Sequence, residues 1–176
     1  MTRFDNAFNY LLSNEGDYSD DPLDHGGATN YGITQAALSE FNCAHNEGLP
    51  DNVKDLNKEQ AKVFYQIRYW LPCFEQINDE RIAIKIWDHH VNMDNGPMPS
   101  RAIKFAQLAL NTAVHTGEPP LVVDGIMGPK TIEDLNGSSY TWFMSEYKRQ
   151  LGYFYRGLNQ PHFLKGWLAR VDREPK

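Results

Sequence analysis

Glu15 is the residue whose place in the chain points most directly to chemistry. It follows Phe4 by eleven positions, and eleven steps of 100° bring it about 20° from Phe4 around a helix. A helix from residue 3 to about residue 15 would hold this carboxylate on its core-facing side, at the C-terminal end. Desolvation and the negative end of the helix dipole both disfavour the charged form there. A carboxylic acid kept protonated near neutral pH is what general acid catalysis needs. The next segment supplies counterparts: Asp17, Asp20, Asp21 and Asp24 bring carboxylates, and Thr29 a hydroxyl. Glycoside hydrolysis requires an acid on one face of the scissile bond and a carboxylate or activated water on the other. A solvated turn accounts for the same aspartates, since Asp and Asp-Pro favour turns. The spacing does not match an EF-hand calcium loop.

The elements that must position these residues are mostly helical. Phe4, Ala7, Phe8, Leu11 and Leu12 form one apolar stripe, Thr2 with Asp5 resembles a capping box, and Gly16 suits a helix stop. Residues 16 to 33 lack a helical period and read as turns with a short hairpin. Thr34 is an N-cap for a helix through about Phe41. Asn57-Lys-Glu-Gln60 opens another, with Ala61, Phe64, Tyr65 and Ile67 on its apolar face, and Pro72 ends it. Asn78 or Asp79 caps a fourth helix carrying Ala83, Ile86, Trp87, His90 and Val91.

Asn95-Gly-Pro-Met-Pro breaks the pattern and marks a lobe boundary, giving lobes of 1–94 and 95–176. Residues 100 to 111 are apolar around most of a helix, which predicts burial. Helices are expected from Pro129, Ser139 and Pro161. The fold class is mainly α, with a small irregular or β element after the first helix.

Composition narrows the function. The chain has 176 residues, 41% hydrophobic and 23% charged, which fits a globular domain. Its apolar runs fall far short of the roughly 20 residues that span a bilayer, so membrane insertion is not expected. A net charge of -6 argues against nucleic acid, whose phosphates need clustered Lys and Arg. The first ten residues lack a cationic stretch followed by an apolar one, so cytoplasmic synthesis is expected, with release by another agent. Cys43 and Cys73 are read as free buried thiols, because two cysteines make neither a disulfide framework nor a structural zinc site.

His89 and His90 are adjacent and point about 100° apart on a helix, a poor metal pair. His25 stands alone beside Asp24. No HExxH, GxSxG, Walker or dinucleotide motif is present, so neither metal nor cofactor is expected. Tyr18, Tyr31, Trp70 and Trp87 are candidate walls of a sugar cleft, although Trp70 and Trp87 also suit a core.

The run Asn14-Glu15-Gly16-Asp17-Tyr18-Ser19-Asp20-Asp21-Pro22-x-Asp24-x-Gly26-Gly27-x-Thr29-x-x-Gly32-Ile33 resembles the signature of glycoside hydrolase family 108. Members are lysozyme-like N-acetylmuramidases of phage and prophage endolysins, named for a Glu-Gly-Gly-Tyr motif. Here that motif reads Glu-Gly-Asp-Tyr, with Asp17 in place of a glycine. The resemblance continues through Tyr69-Trp70-Leu71-Pro72, Asp88-x-x-Val91-Asn92 and Phe163-x-x-Gly166-Trp167-x-x-Arg170. Ala102 to Gln107, with Asp124-Gly125-Ile126-Met127-Gly128-Pro129-Lys130-Thr131, resembles a peptidoglycan-binding domain attached to this family. An ordinary turn into a helix accounts for those residues equally well.

The resemblance implies a lysozyme-like helical fold and cleavage of the β-1,4 bond between N-acetylmuramic acid and N-acetylglucosamine. Glu15 would be the acid, with Asp24 and Thr29 acting on the opposite face, as in the Glu, Asp, Thr spacing of phage-type lysozymes. Thr29 stands one position closer than in that pattern. Tyr18, Tyr31 and Asn92 are the expected substrate-binding residues, and peptidoglycan glycan strands the expected partner. It also implies a monomer released by a holin. Two other readings remain open: a lytic transglycosylase, which needs no second carboxylate, and a non-catalytic peptidoglycan-binding or virion protein.

Overall fold

The computed structural model describes residues 1–14, 18–19, 27–94, 98–113 and 119–175. Among them are eight α-helices and one two-stranded antiparallel sheet following the first helix. The chain forms two compact units, Met1–Arg68 and Tyr69–Lys176.

The first unit opens with α1 (Arg3–Leu12), started by the expected capping box of Thr2 and Asp5. Phe4, Ala7, Phe8 and Leu11 are its buried stripe. The helix stops at Leu12, earlier than the stripe predicts. Ser13 closes it locally: its N–H donates to the Asn9 and Tyr10 carbonyls, and its hydroxyl donates to Tyr10 again. A serine that satisfies the last carbonyls by itself competes with another turn of helix.

Next comes a hairpin, β1 (Thr29–Asn30) and β2 (Ile33–Thr34), with Asn30 paired to Ile33 and Thr29 to Thr34. Tyr31 (φ 51°) and Gly32 (φ 76°) form the link. Two consecutive left-handed residues are the signature of a type I′ turn, whose twist matches that of the strands. Thr34 then caps α2 (Gln35–Ala44), accepting from the Ala37 N–H.

After a 3₁₀ turn at Val53–Asp55, α3 (Lys58–Tyr69) is opened by reciprocal bonds of 3.0 Å between Asn57 and Gln60. Phe8, Phe41, Phe64 and Tyr65 form the aromatic centre of this unit, with ring centroids 4.9 to 5.9 Å apart. Ile67 is 40% exposed, because the apolar face of α3 is carried by Ala61, Phe64 and Tyr65. Cys43 is exposed where burial was expected, and Cys73 is buried; both are free.

The second unit is built around α4 (Glu80–Met93), in which every residue from Ile82 to His90 is buried. Asp79 is its N-cap, and a 3₁₀ turn over Pro72–Gln76 precedes it. It packs on α5 (Arg101–Leu110), which in turn packs on α7 (Tyr140–Gly157); α6 (Pro129–Gly137) leans on α5, and α8 (Pro161–Asp172) on α7. Pro129 and Pro161 start their helices as the sequence indicates. The expected burial of α5 holds for Ala102, Ile103, Ala106, Gln107, Ala109 and Leu110, while Leu108 on the opposite side is 36% exposed. Trp87 is completely buried and edge-on to the half-buried Trp70, so Trp87 belongs to the core.

Candidate active site

The hairpin positions the site residues of the first unit. Asn30 is buried, and its amide donates to the carbonyls of Val53 (3.0 Å) and Leu56 (3.2 Å), which fastens the hairpin to the segment before α3. The Tyr65 hydroxyl donates to the Tyr31 carbonyl at 2.9 Å. Tyr31 is thus held in a backbone region that a bulky residue rarely adopts, with a penalty of about 1–2 kcal/mol. Such strain is characteristic of functional positions.

Thr29 exchanges both backbone hydrogen bonds with Ser19, at 2.8 and 2.9 Å, and its hydroxyl donates to the Gly27 carbonyl at 3.1 Å. Ser19 therefore forms an isolated antiparallel β-bridge to Thr29 of β1. Tyr18 next to it is 39% exposed, with the Lys54 ammonium 5.8 Å from the centre of its ring. The hairpin and this bridge bring Tyr18, Thr29 and Tyr31 into one small patch of backbone. Glu15 and Asp24 lie outside the described residues. The helix predicted through about residue 15 ends at Leu12.

Asn92 lies in the second unit, at the end of α4, and is exposed. Its Oδ1 accepts from the Tyr155 hydroxyl at 2.9 Å. His89 Nδ1 stands 3.5 Å from the same hydroxyl oxygen, and His89 Nε2 is buried with no hydrogen-bond partner among the described residues. Because the tyrosine proton goes to Asn92, a proton on His89 Nδ1 completes the chain from His89 through Tyr155 to Asn92. Burial lowers the His89 pKa to about 3, against the opposing attraction of Asp88, so the ring is neutral at physiological pH.

One turn back on α4, Asp88 forms a two-pronged pair with Arg170 on α8, at 2.9 and 3.1 Å. Its carboxylate has no exposure. Burial raises its pKa, but the Arg170 guanidinium and its hydrogen bonds outweigh this and hold it below the usual carboxylate range. Lys85, also fully buried, donates to the Arg170 and Arg173 carbonyls at 2.7 and 2.6 Å. It thereby caps the C-terminal end of α8 with a positive charge, where the helix dipole favours one.

At the far end of α4, His90 Nδ1 is 3.1 Å from both Asp94 and the Ser100 oxygen, and the Ser100 hydroxyl donates to Asp94 at 2.7 Å. This buried cluster joins α4 to α5 and places His90 in the scaffold. Among the described residues no group of three His, Cys, Asp or Glu side chains is placed to hold a metal ion.

Sequence reasoning singled out Thr29, Tyr31 and Asn92, but not the residues that hold them. Asn30, Tyr65 and Tyr155 act through contacts spanning 23 to 63 positions, which no local pattern signals. The pairing of Asp88 with Arg170 does have a trace, since each closes or opens a block that resembles the family.

The described geometry is that of a helical protein with a hairpin-borne polar patch. Residues 8–94 match the family model of glycosyl hydrolase 108. The match ends at Asp94, the last described residue before the Asn95-Gly-Pro break. The chain is also similar to the solved structure of Brucella abortus SagA, with a TM-score of 0.72 and 29% identity, over 97% of this chain and 90% of that one. No curated protein matches. The family similarity supports a glycoside hydrolase.

Proposed function

We propose that this protein is an N-acetylmuramidase that hydrolyses the β-1,4 bond between N-acetylmuramic acid and N-acetylglucosamine in peptidoglycan. The observation that carries the reading is the match of residues 8–94 to glycosyl hydrolase 108, a span that includes the whole Glu15-to-Ile33 block. In this reading Glu15 donates a proton to the leaving glycosidic oxygen. Asp24, or a water held by Asp24 and Thr29, acts on the opposite face of the sugar, and Tyr18, Tyr31 and Asn92 contact the glycan. Carboxyl groups about 5 Å apart would give retention, and a gap of roughly 6.5 to 9.5 Å inversion. The catalytic residues lie within 1–94, and residues 95–176 add affinity for peptidoglycan, a functional division that falls inside the second compact unit. The biological role is endolysin-type lysis, with release through a holin.

Mass spectrometry of products from purified peptidoglycan tests this. Wild-type protein should release muropeptides with reducing N-acetylmuramic acid ends. Glu15→Gln should lower the rate by at least about 100-fold, as expected for loss of a general acid. Anhydro ends would instead identify a lytic transglycosylase, and an active Glu15→Gln variant would remove Glu15 from the mechanism. Binding to the wall without any product would identify a non-catalytic binding protein.

A further inference from the structure

The second unit contains a recess of about 180 Å³ between the end of α4, the start of α5 and the facing sides of α7 and α8. Asn92 and Arg101 supply its polar groups, and Phe154, Tyr155, Leu158 and Trp167 much of its apolar wall. The volume is below that of a pocket for a drug-sized ligand and suits a single sugar ring. Tyr155 and Trp167 are stacked at 5.2 Å, and Phe154 packs against Tyr155 at 5.3 Å. The Tyr155 hydroxyl occupies Asn92 Oδ1. That bond fixes the amide orientation and directs the two Nδ2 protons away from Tyr155.

Arg101 is the cationic group lining this recess. Arg81, Arg149 and Arg170 of the same unit are each hydrogen-bonded to a carboxylate. The Arg101 side chain is 62% exposed and forms an ion pair with Asp94, its Nε 3.7 Å from Oδ1 and beyond hydrogen-bonding distance. Asp94 already accepts from His90, Ser100 and the Arg101 backbone N–H. The guanidinium, ion-paired with Asp94 but with no side-chain hydrogen bond to it, keeps its N–H donors for a bidentate anion.

We propose that this recess is a subsite for an N-acetylated sugar carrying a carboxylate, with Arg101 pairing the carboxylate and Asn92 donating to the sugar's oxygens. It rests on the peptidoglycan reading, in which muramic acid is that sugar. The carboxylate is then either the lactyl group of a peptide-free sugar or one borne by the stem peptide. Arg101 also resolves an electrostatic difficulty, since a protein of net charge -6 gains no general attraction to an anionic wall.

The test is an NMR titration of the wild-type protein with three probes that contain no scissile muramyl bond. They are N-acetylglucosaminyl-N-acetylmuramic acid without peptide, the same disaccharide with its stem peptide, and chitobiose as the uncharged counterpart. The acidic disaccharide should shift the Trp167 indole N–H, the Asn92 amide and the Arg101 Nε signals, and should bind more tightly than chitobiose. Arg101→Ala should weaken the acidic disaccharide about tenfold without changing chitobiose, and Arg101→Lys should restore part of the loss. If the peptide-bearing probe alone shows this dependence, the carboxylate belongs to the stem peptide.

Equal affinity for charged and uncharged probes, or no effect of Arg101→Ala, would overturn the subsite. So would shifts confined to other residues. The digestion assay of the wild-type protein reads the hydrolase proposal separately. Cleavage with Arg101-independent binding defeats the subsite alone, and Arg101-dependent binding without cleavage defeats the hydrolase reading alone.

Discussion

Asp88 and Arg170 are separated by 82 positions, yet their side chains form a two-pronged ion pair in which the carboxylate is fully buried. Removing one partner leaves the other charge uncompensated in a poorly solvated place, at a cost of about 3–5 kcal/mol. Asp88→Ala should therefore lower the unfolding free energy by that amount in urea titration, whereas an apolar pair at both positions should recover most of it. Asn30 presents a milder case. Asn30→Ala would leave the Val53 and Leu56 carbonyls without their amide donor, and about 1–3 kcal/mol should be lost. That change should also loosen the hairpin carrying Thr29 and Tyr31, detectable as faster amide exchange at Gln35, whose N–H donates to the Ala28 carbonyl at 2.9 Å.

At the scale of elements, turns are the decisive features. Tyr31 occupies a left-handed position at φ 51° in a two-residue hairpin link, where asparagine followed by glycine is the preferred chemistry. Tyr31→Asn should raise the melting temperature while weakening glycan binding, if the ring contacts substrate as proposed. A gain in stability without a loss of affinity would assign Tyr31 to the turn alone. Gly125 is the opposite case. Its φ is 81°, and a Cβ there would meet the Ser100 carbonyl oxygen at 2.6 Å. Gly125→Ala should cost at least about 2 kcal/mol, combining left-handed strain with a backbone clash. The displaced loop would carry Asp124 and Ile126 away from Gln107, which binds both.

For the molecule as a whole, acid should be the condition that opens the second unit. His89 is buried neutral with its pKa lowered to about 3, while an unfolded histidine titrates near 6.5. Between those values the unfolded chain binds more protons, so stability falls as pH falls. The slope should approach 1.4 kcal/mol per pH unit for this group. Asp88, whose pKa is also depressed, adds a loss in the same direction at lower pH. Thermal melts from pH 7 to pH 4 should show a falling transition temperature, and His89→Phe should flatten the part between pH 6.5 and 4. An unchanged slope in that variant would show that His89 does not set the acid limit. No helix is long and apolar enough to cross a membrane among the described residues.

Helix positions were legible in the sequence because they depend on near neighbours. Capping pairs such as Thr2 with Asp5 and Asn57 with Gln60 lie three residues apart, and Pro129 and Pro161 fix the backbone angle of their own helix starts. The hairpin was legible for the same reason, as was the mainly helical class. The length of α1 was overestimated because apolar periodicity does not register a serine satisfying its own helix end. Which glycine must remain a glycine was hidden too, since Gly125 is set by the backbone of Ser100, 25 positions away. The sequence by itself determined the elements, through local spacing and composition. Tertiary structure decided which side chains hold Thr29, Tyr31 and Asn92 in place, because those partners meet only when distant segments bury their polar groups together.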